Sequence, residues 1–96
     1  MKIRNFIHKG LKRLYESNEQ KGVPPASMDK LRKMLAFMDS MRGAEELRLI
    51  PTWKPHLMTG DRAGTWSLNV TRNWRVTFRI DVVEEQICDV NLEDYH

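Results

Sequence analysis

The sequence predicts an α+β fold: two N-terminal helices packed on one face of a small twisted antiparallel β-sheet. Three observations carry this reading. Apolar residues recur at helical spacing between Leu11 and Met41, they alternate with period two from Thr65 onward, and a connection bearing Pro51, Pro55, Gly60 and Gly64 separates the two regimes. A chain of 96 residues has room for one domain, spanning 1–96, because a core of this size buries only roughly 60–65% of the surface exposed on unfolding.

Residues 2–7 show the imperfect alternation of a short strand, with Ile3 and Phe6 as its apolar positions, and fit a sheet edge. Leu11, Leu14 and Tyr15 then repeat at i, i+3 and i+4 with Lys12, Arg13 and Glu16 between them, which is one amphipathic helix ending within 17–20. Gly22-Val23-Pro24-Pro25 breaks it stiffly, and proline suits the first turn of the next helix because its missing N–H has no partner to lose there. That second helix sets Met28, Leu31, Met34, Leu35, Met38 and Met41 on one face and Lys30, Arg32, Lys33 and Asp39 on the other, with Gly43 as its stop. The methionine stripe reads as core packing, and the basic face as solvated.

Residues 43–64 look irregular, and this long connection contains His56. Beyond it Trp66, Leu68 and Val70 alternate with Ser67, Asn69 and Thr71. Trp74, Val76, Phe78 and Ile80 alternate with Arg75, Thr77 and Arg79, and Cys88, Val90 and Leu92 with Asp89, Asn91 and Glu93. Turns at Arg72-Asn73 and at 81–85 make these runs a three-stranded meander, with Trp66 and Trp74 in or near the core.

Composition narrows the function. One cysteine, Cys88, makes no internal disulfide and reads as a small buried hydrophobe in a reducing compartment. Charge interrupts the N-terminal segment before any signal-peptide core, and no apolar run has membrane-spanning length, so the expected location is the cytoplasm with no membrane partner. The formal net charge is +3, and residues 1–42 hold ten Lys or Arg against four acids while 43–96 hold six against nine. A mildly basic chain suits nucleic acid or an acidic protein.

Arg62, Arg72, Arg75 and Arg79 fall in a stretch with no acid between Asp61 and Asp81. Arg75 and Arg79 share the polar face of one strand, where guanidinium forks match phosphate oxygens. The competing reading is that they solvate the open face or pair with Asp89 and Glu93. The three histidines, His8, His56 and His96, have no metal-ligand spacing, and no Cys-x-x-Cys accompanies them, so neither metal nor cofactor is expected. The closing Asp94-Tyr95-His96 puts a carboxylate, a phenol and an imidazole directly after a strand that pairs with the arginine-bearing one.

Phe6-Ile7-His8-Lys9-Gly10-Leu11-Lys12-Arg13-Leu14-Tyr15-Glu16, Gly22-Val23-Pro24-Pro25, His56, Gly60-Asp61-Arg62, Gly64-Thr65-Trp66-Ser67, Asn73-Trp74-Arg75-Val76-Thr77-Phe78 and Leu92-Glu93-Asp94-Tyr95-His96 together resemble the HigB-type toxins of the RelE/ParE superfamily. The resemblance covers nearly the whole chain. It implies a type II toxin that enters the ribosomal 30S A site and cleaves mRNA without a metal, halting translation. It also implies a HigA-like helix-turn-helix antitoxin that neutralises the toxin and carries the complex to operator DNA. By the same resemblance His56, Asp94, Tyr95 and His96 line the site with Arg75 on the phosphate, while Lys54, Arg62, Arg72 and Arg79 are the further RNA-binding candidates.

Relatives often carry a lysine where this chain has Thr59 within His56-Leu57-Met58-Thr59-Gly60-Asp61-Arg62. The reaction is then slower, draws on Lys54 or Arg62 instead, or makes a mild toxin. The chemistry needs a base for the 2'-hydroxyl, cations for the crowded phosphate and an acid for the departing 5'-oxygen. His56 or Asp94 suits the first task, Arg75 and Arg79 the second and His96 the third, with Tyr95 stacking on a base or orienting the phosphate. Two alternatives stand beside this reading: a ParE-like inhibitor of DNA gyrase, and a non-enzymatic nucleic-acid-binding module using Arg72, Arg75, Arg79, Trp66 and Trp74.

Overall fold

The computed structural model describes residues 1–94. Tyr95 and His96, both site candidates, lie outside the described residues. The predicted α+β architecture is present: helices α1 (Lys9–Ser17) and α2 (Met28–Ser40) precede most of a five-stranded sheet made of β1 (Lys2–Ile3), β2 (His56–Leu57), β3 (Thr65–Asn69), β4 (Trp74–Asp81) and β5 (Gln86–Asp94). The strand order is β1-β5-β4-β3-β2. Every pair is antiparallel except β1 with β5, which is parallel.

Helix α1 begins where the His8 imidazole Nδ1 accepts the Leu11 N–H at 3.0 Å, a side-chain cap for one of the orphan amides of the first turn. It ends at Asn18, whose φ of 54° is a left-handed stop that asparagine tolerates. Leu11 and Leu14 are buried, as their spacing requires. The stop of α2 differs from expectation. The helix ends at Ser40 rather than at Gly43, Met41 is extended but still buried, and the Met1 amino group donates to the carbonyls of Met38, Asp39 and Met41. Leu31, Met34, Leu35 and Met38 are buried, so the methionine stripe is core. Lys30 is not simply solvated: its ammonium donates to the Val70 carbonyl at 2.7 Å and ties α2 to the end of β3.

The helices cover one face of the sheet, where Leu68, Val70, Val76, Phe78, Ile87, Val90 and Leu92 meet α1 and α2 in a single core. Trp66 and Trp74 are partly buried against it, in agreement with their positions in the alternation. The other face stays open.

Three further expectations need correction. The first strand is shorter than 2–7, because the chain leaves the ladder after Ile3 and returns only at a Phe6–Val90 bridge. Between these points Asp89 adopts a φ of 57°, and Asn5 and Asp89 exchange two hydrogen bonds of 2.9 and 3.1 Å. Across that irregularity Thr77 faces Asn91 while Arg79 faces Cys88, so β5 carries one residue more than β4, a β-bulge. The bulge shifts the phase of the strand, which overturns the second expectation, that Cys88 keeps step with Val90 and Leu92: Cys88 is buried as expected, but it stands opposite Arg79, and Ile87 takes the place in the core cluster. The third concerns 43–64, which is not merely irregular. It contains short 3-10 turns at Ala44–Leu49, Pro51–Trp53 and Gly60–Arg62 and, between them, β2.

Candidate active site

The open face of the sheet is built from the polar members of each alternation, and register decides which of them meet. Pairing sets His56 beside Ser67, Ser67 beside Thr77 and Thr77 beside Asn91, in one row across four strands. A second row runs Asn69, Arg75, Glu93. Lys54, held in the left-handed region at φ 47°, turns the chain into β2 beside these rows. The result is an open cleft of about 430 Å³ whose walls include Lys54, His56, Arg75, Glu93 and Asp94, with Met58, Ser67, Asn69 and Thr77 completing the lining. Four of the residues singled out from the sequence therefore converge: Lys54, His56, Arg75 and Asp94.

Arg75 is partly buried, and its guanidinium donates to the Thr71 carbonyl at 2.8 Å and to the Trp74 carbonyl at 3.1 Å. Those bonds point the side chain along the β3–β4 turn and hold it in the cleft wall, where positive charge on a fixed strand is pre-oriented for an anion. His56 and Asp94 are exposed at the cleft, and Lys54 is exposed beside them.

The other arginines sit elsewhere. Arg72 is exposed in the β3–β4 turn and its carbonyl accepts from Arg75 at 3.4 Å. Arg79 is on the same face as Arg75 but beyond the bulge, where it donates to the Ala63 carbonyl and the Thr65 hydroxyl, each at 3.3 Å. It does not line the cleft. Arg62 places both ends of its fork on the Glu93 carboxylate, at 3.0 and 2.5 Å, and the Thr77 hydroxyl donates to the same carboxylate at 2.5 Å. Chiefly through the Arg62 hydrogen bond, and then that of Thr77, Glu93 is held below its ordinary carboxylate pKa of 4.5, so it is an anion at neutral pH. The same pairing raises Arg62. Thr59 is exposed at the start of the Gly60–Arg62 turn and does not line the cleft.

Sequence reasoning did not place Glu93, Thr77, Ser67, Asn69 or Met58 in the site. The alternation that put Thr77 and Glu93 on the polar face was the available signal, yet the partner of Glu93 is Arg62, thirty-one residues away, and periodicity carries no information about such a pair. Among the described residues no group of three or more His, Cys, Asp or Glu side chains could hold a metal ion, and no helix is long and apolar enough to cross a membrane.

Comparison with known proteins adds four findings. Residues 4–96 match the HigB-like toxin family, described as the RelE-like toxin of the type II toxin-antitoxin system HigB. The chain is 39% identical over 94 residues to a protein of Proteus vulgaris named Endoribonuclease HigB, covering 98% of this chain and 99% of that one. Among solved structures it is similar to a YoeB/ParE toxin from Agrobacterium tumefaciens, with a TM-score of 0.59 at 17% identity covering 100% of this chain and 99% of the other. It is also similar to a chain of the RelBE2 toxin-antitoxin complex from Mycobacterium tuberculosis, with a TM-score of 0.52 at 17% identity covering 97% and 95%. At that identity the structural likeness concerns the fold.

Proposed function

Because the chain belongs to the HigB-like family of RelE-like toxins of type II toxin-antitoxin systems, we propose that it is a metal-independent endoribonuclease that cuts mRNA in the ribosomal A site. A HigA-like antitoxin neutralises it and carries the pair to operator DNA. The observation that carries this reading is the meeting of His56, Arg75, Lys54 and Asp94 in one cleft on the open sheet face.

In the proposed reaction the 2'-oxygen of one nucleotide attacks the adjacent phosphorus and the bond to the 5'-oxygen of the next breaks. The products are a 2',3'-cyclic phosphate and a 5'-hydroxyl. His56 or Asp94 removes the 2'-OH proton, and His96 donates a proton to the departing 5'-oxygen, so protons balance across the step. Imidazole with an unperturbed pKa of about 6.5 serves either role near neutrality, and a positioned acid or base contributes roughly 10² to 10⁴-fold. Arg75 meets the phosphate. Arg79, on the same strand face, is directed to Ala63 and Thr65, so the second cation in this mechanism is Lys54, which also supplies the positive charge that Thr59 lacks. Tyr95 is left the role of stacking on a base or orienting the phosphate. The ribosome holds the mRNA in extended form, which supplies much of the orientation that a shallow cleft does not.

Expressing the chain in bacteria and mapping transcript ends by primer extension tests this reading. Wild-type protein is expected to arrest growth and produce new cuts within reading frames, and His56→Ala to lose both by about 10²-fold. Growth arrest with a DNA-damage response and intact transcripts would replace it with the gyrase reading.

A further inference from the structure

The cleft that must accept RNA phosphate holds a second carboxylate in its wall besides Asp94, the candidate base. Glu93 is the direct cross-strand neighbour of Arg75 and lines the same cavity. It is ionised at neutral pH, and only about a quarter of its side chain is exposed, 28%, so water screens it incompletely. Left alone, this anion would repel an incoming phosphate. Arg62 answers that charge. It approaches from the Gly60–Arg62 turn and binds both carboxylate oxygens, and the Thr77 hydroxyl donates to the same carboxylate.

We propose that Arg62 is a positioning residue acting through Glu93: its bidentate pair neutralises and fixes that carboxylate so that it does not repel RNA phosphate arriving at Arg75 and Lys54. The inference rests on the nuclease reading above and assigns Arg62 a role other than direct RNA contact. The charge arithmetic makes the two roles separable. Removing Arg62 leaves Glu93 uncompensated, which opposes phosphate binding, and removing the Glu93 charge as well restores the balance. If Arg62 touched RNA itself, neutralising Glu93 would not replace the lost contact.

The experiment is a double-mutant cycle in a reconstituted translation reaction on a defined mRNA, with cleavage rates measured against the concentration of mRNA-programmed ribosomes and each variant's melting curve recorded. Arg62→Ala should raise KM about tenfold with kcat within about threefold of wild type, since uniform binding is what is lost. Arg62→Ala with Glu93→Gln should return KM to within about threefold of wild type, and Glu93→Gln alone should lower KM, because the cleft gains net positive charge. Should Arg62→Ala fail to fold, Arg62→Gln, which keeps the length of the side chain, carries the same expectation. A double variant whose KM stays as high as that of Arg62→Ala, with wild-type protein cutting normally, overturns the proposal while leaving the nuclease intact. No cutting by wild-type protein removes the nuclease reading and this proposal with it.

Discussion

Replacing Gly10 by alanine separates helix propensity from packing, because the two predict opposite signs. Gly10 lies buried in the first turn of α1, and in an ordinary helix Gly→Ala stabilises by about 0.8–1 kcal/mol. Here a Cβ at position 10 would sit 2.0 Å from the Gly22 carbonyl oxygen and 2.5 Å from its carbon. Reaching even 3.0 Å, the lower edge of real Cβ contacts, requires a separation of 1.0 Å (3.0 minus 2.0). The obstacle is backbone, so no rotamer change relieves it, and Val23 on the Gly22 segment and Leu11 and Leu14 on α1 are anchored in the core. Overpacking of this kind costs about 1–3 kcal/mol and sometimes more. A 2.0 Å approach to backbone belongs at the upper end of that range, so after the propensity gain the expected balance is a loss of about 2 kcal/mol (3 minus 1), or a Tm lower by about 8–16 °C for a domain of this size. Thermal unfolding followed by circular dichroism measures it. A Tm equal to or above wild type would refute the close approach of α1 to the Gly22 turn.

His8 should make stability depend on pH. Burial first, and the Arg13 charge second, hold its pKa below 6.5, and its Nδ1 accepts from Leu11 only when that nitrogen is unprotonated. The stabilisation is therefore complete above 6.5 and is lost as pH falls through the lowered folded value. Urea titrations should show His8→Ala costing about 1 kcal/mol at pH 7.5, with a shallower decline than wild type below pH 6.5, whereas His8→Ser should keep the cap without the pH dependence. Met38→Ala, which empties a fully buried site, should cost about 2–5 kcal/mol in the same titrations, and a loss under 1 kcal/mol would deny α2 its place over the sheet. Arg75→Lys preserves charge without the planar fork, so mRNA cleavage should fall by about 10²-fold. The melting temperature should move far less than for Met38→Ala, and undiminished cleavage would remove Arg75 from the phosphate site.

The fold class and the core were legible because they rest on periodicity. Leu31, Met34, Leu35 and Met38, and again Trp66, Leu68, Val76 and Phe78, declare a buried face through spacing alone. What escaped was set by single residues or by distant pairs. Strand β2 has two residues, too few to show a period, so His56 read as a loop residue although the sheet positions it beside Ser67. The bulge at Asp89 lies in a run that alternates without a break, and no glycine marks it; the stabilising partner, Asn5, is 84 positions away. The site was half legible for the same reason. Lys54, His56, Arg75 and Asp94 could be selected by chemistry and by resemblance, but the register that joins them, and the Arg62–Glu93 pair that places a compensated anion among them, belong to tertiary structure.

The central claim is translation-dependent RNA cleavage by this cleft. Its most direct test is primer extension on a defined mRNA incubated with the purified chain, once with ribosomes in a reconstituted translation reaction and once without. Cuts that appear only with ribosomes and vanish in Arg75→Ala are the predicted result. Intact mRNA in both reactions, with wild-type protein shown to be folded, would contradict the account.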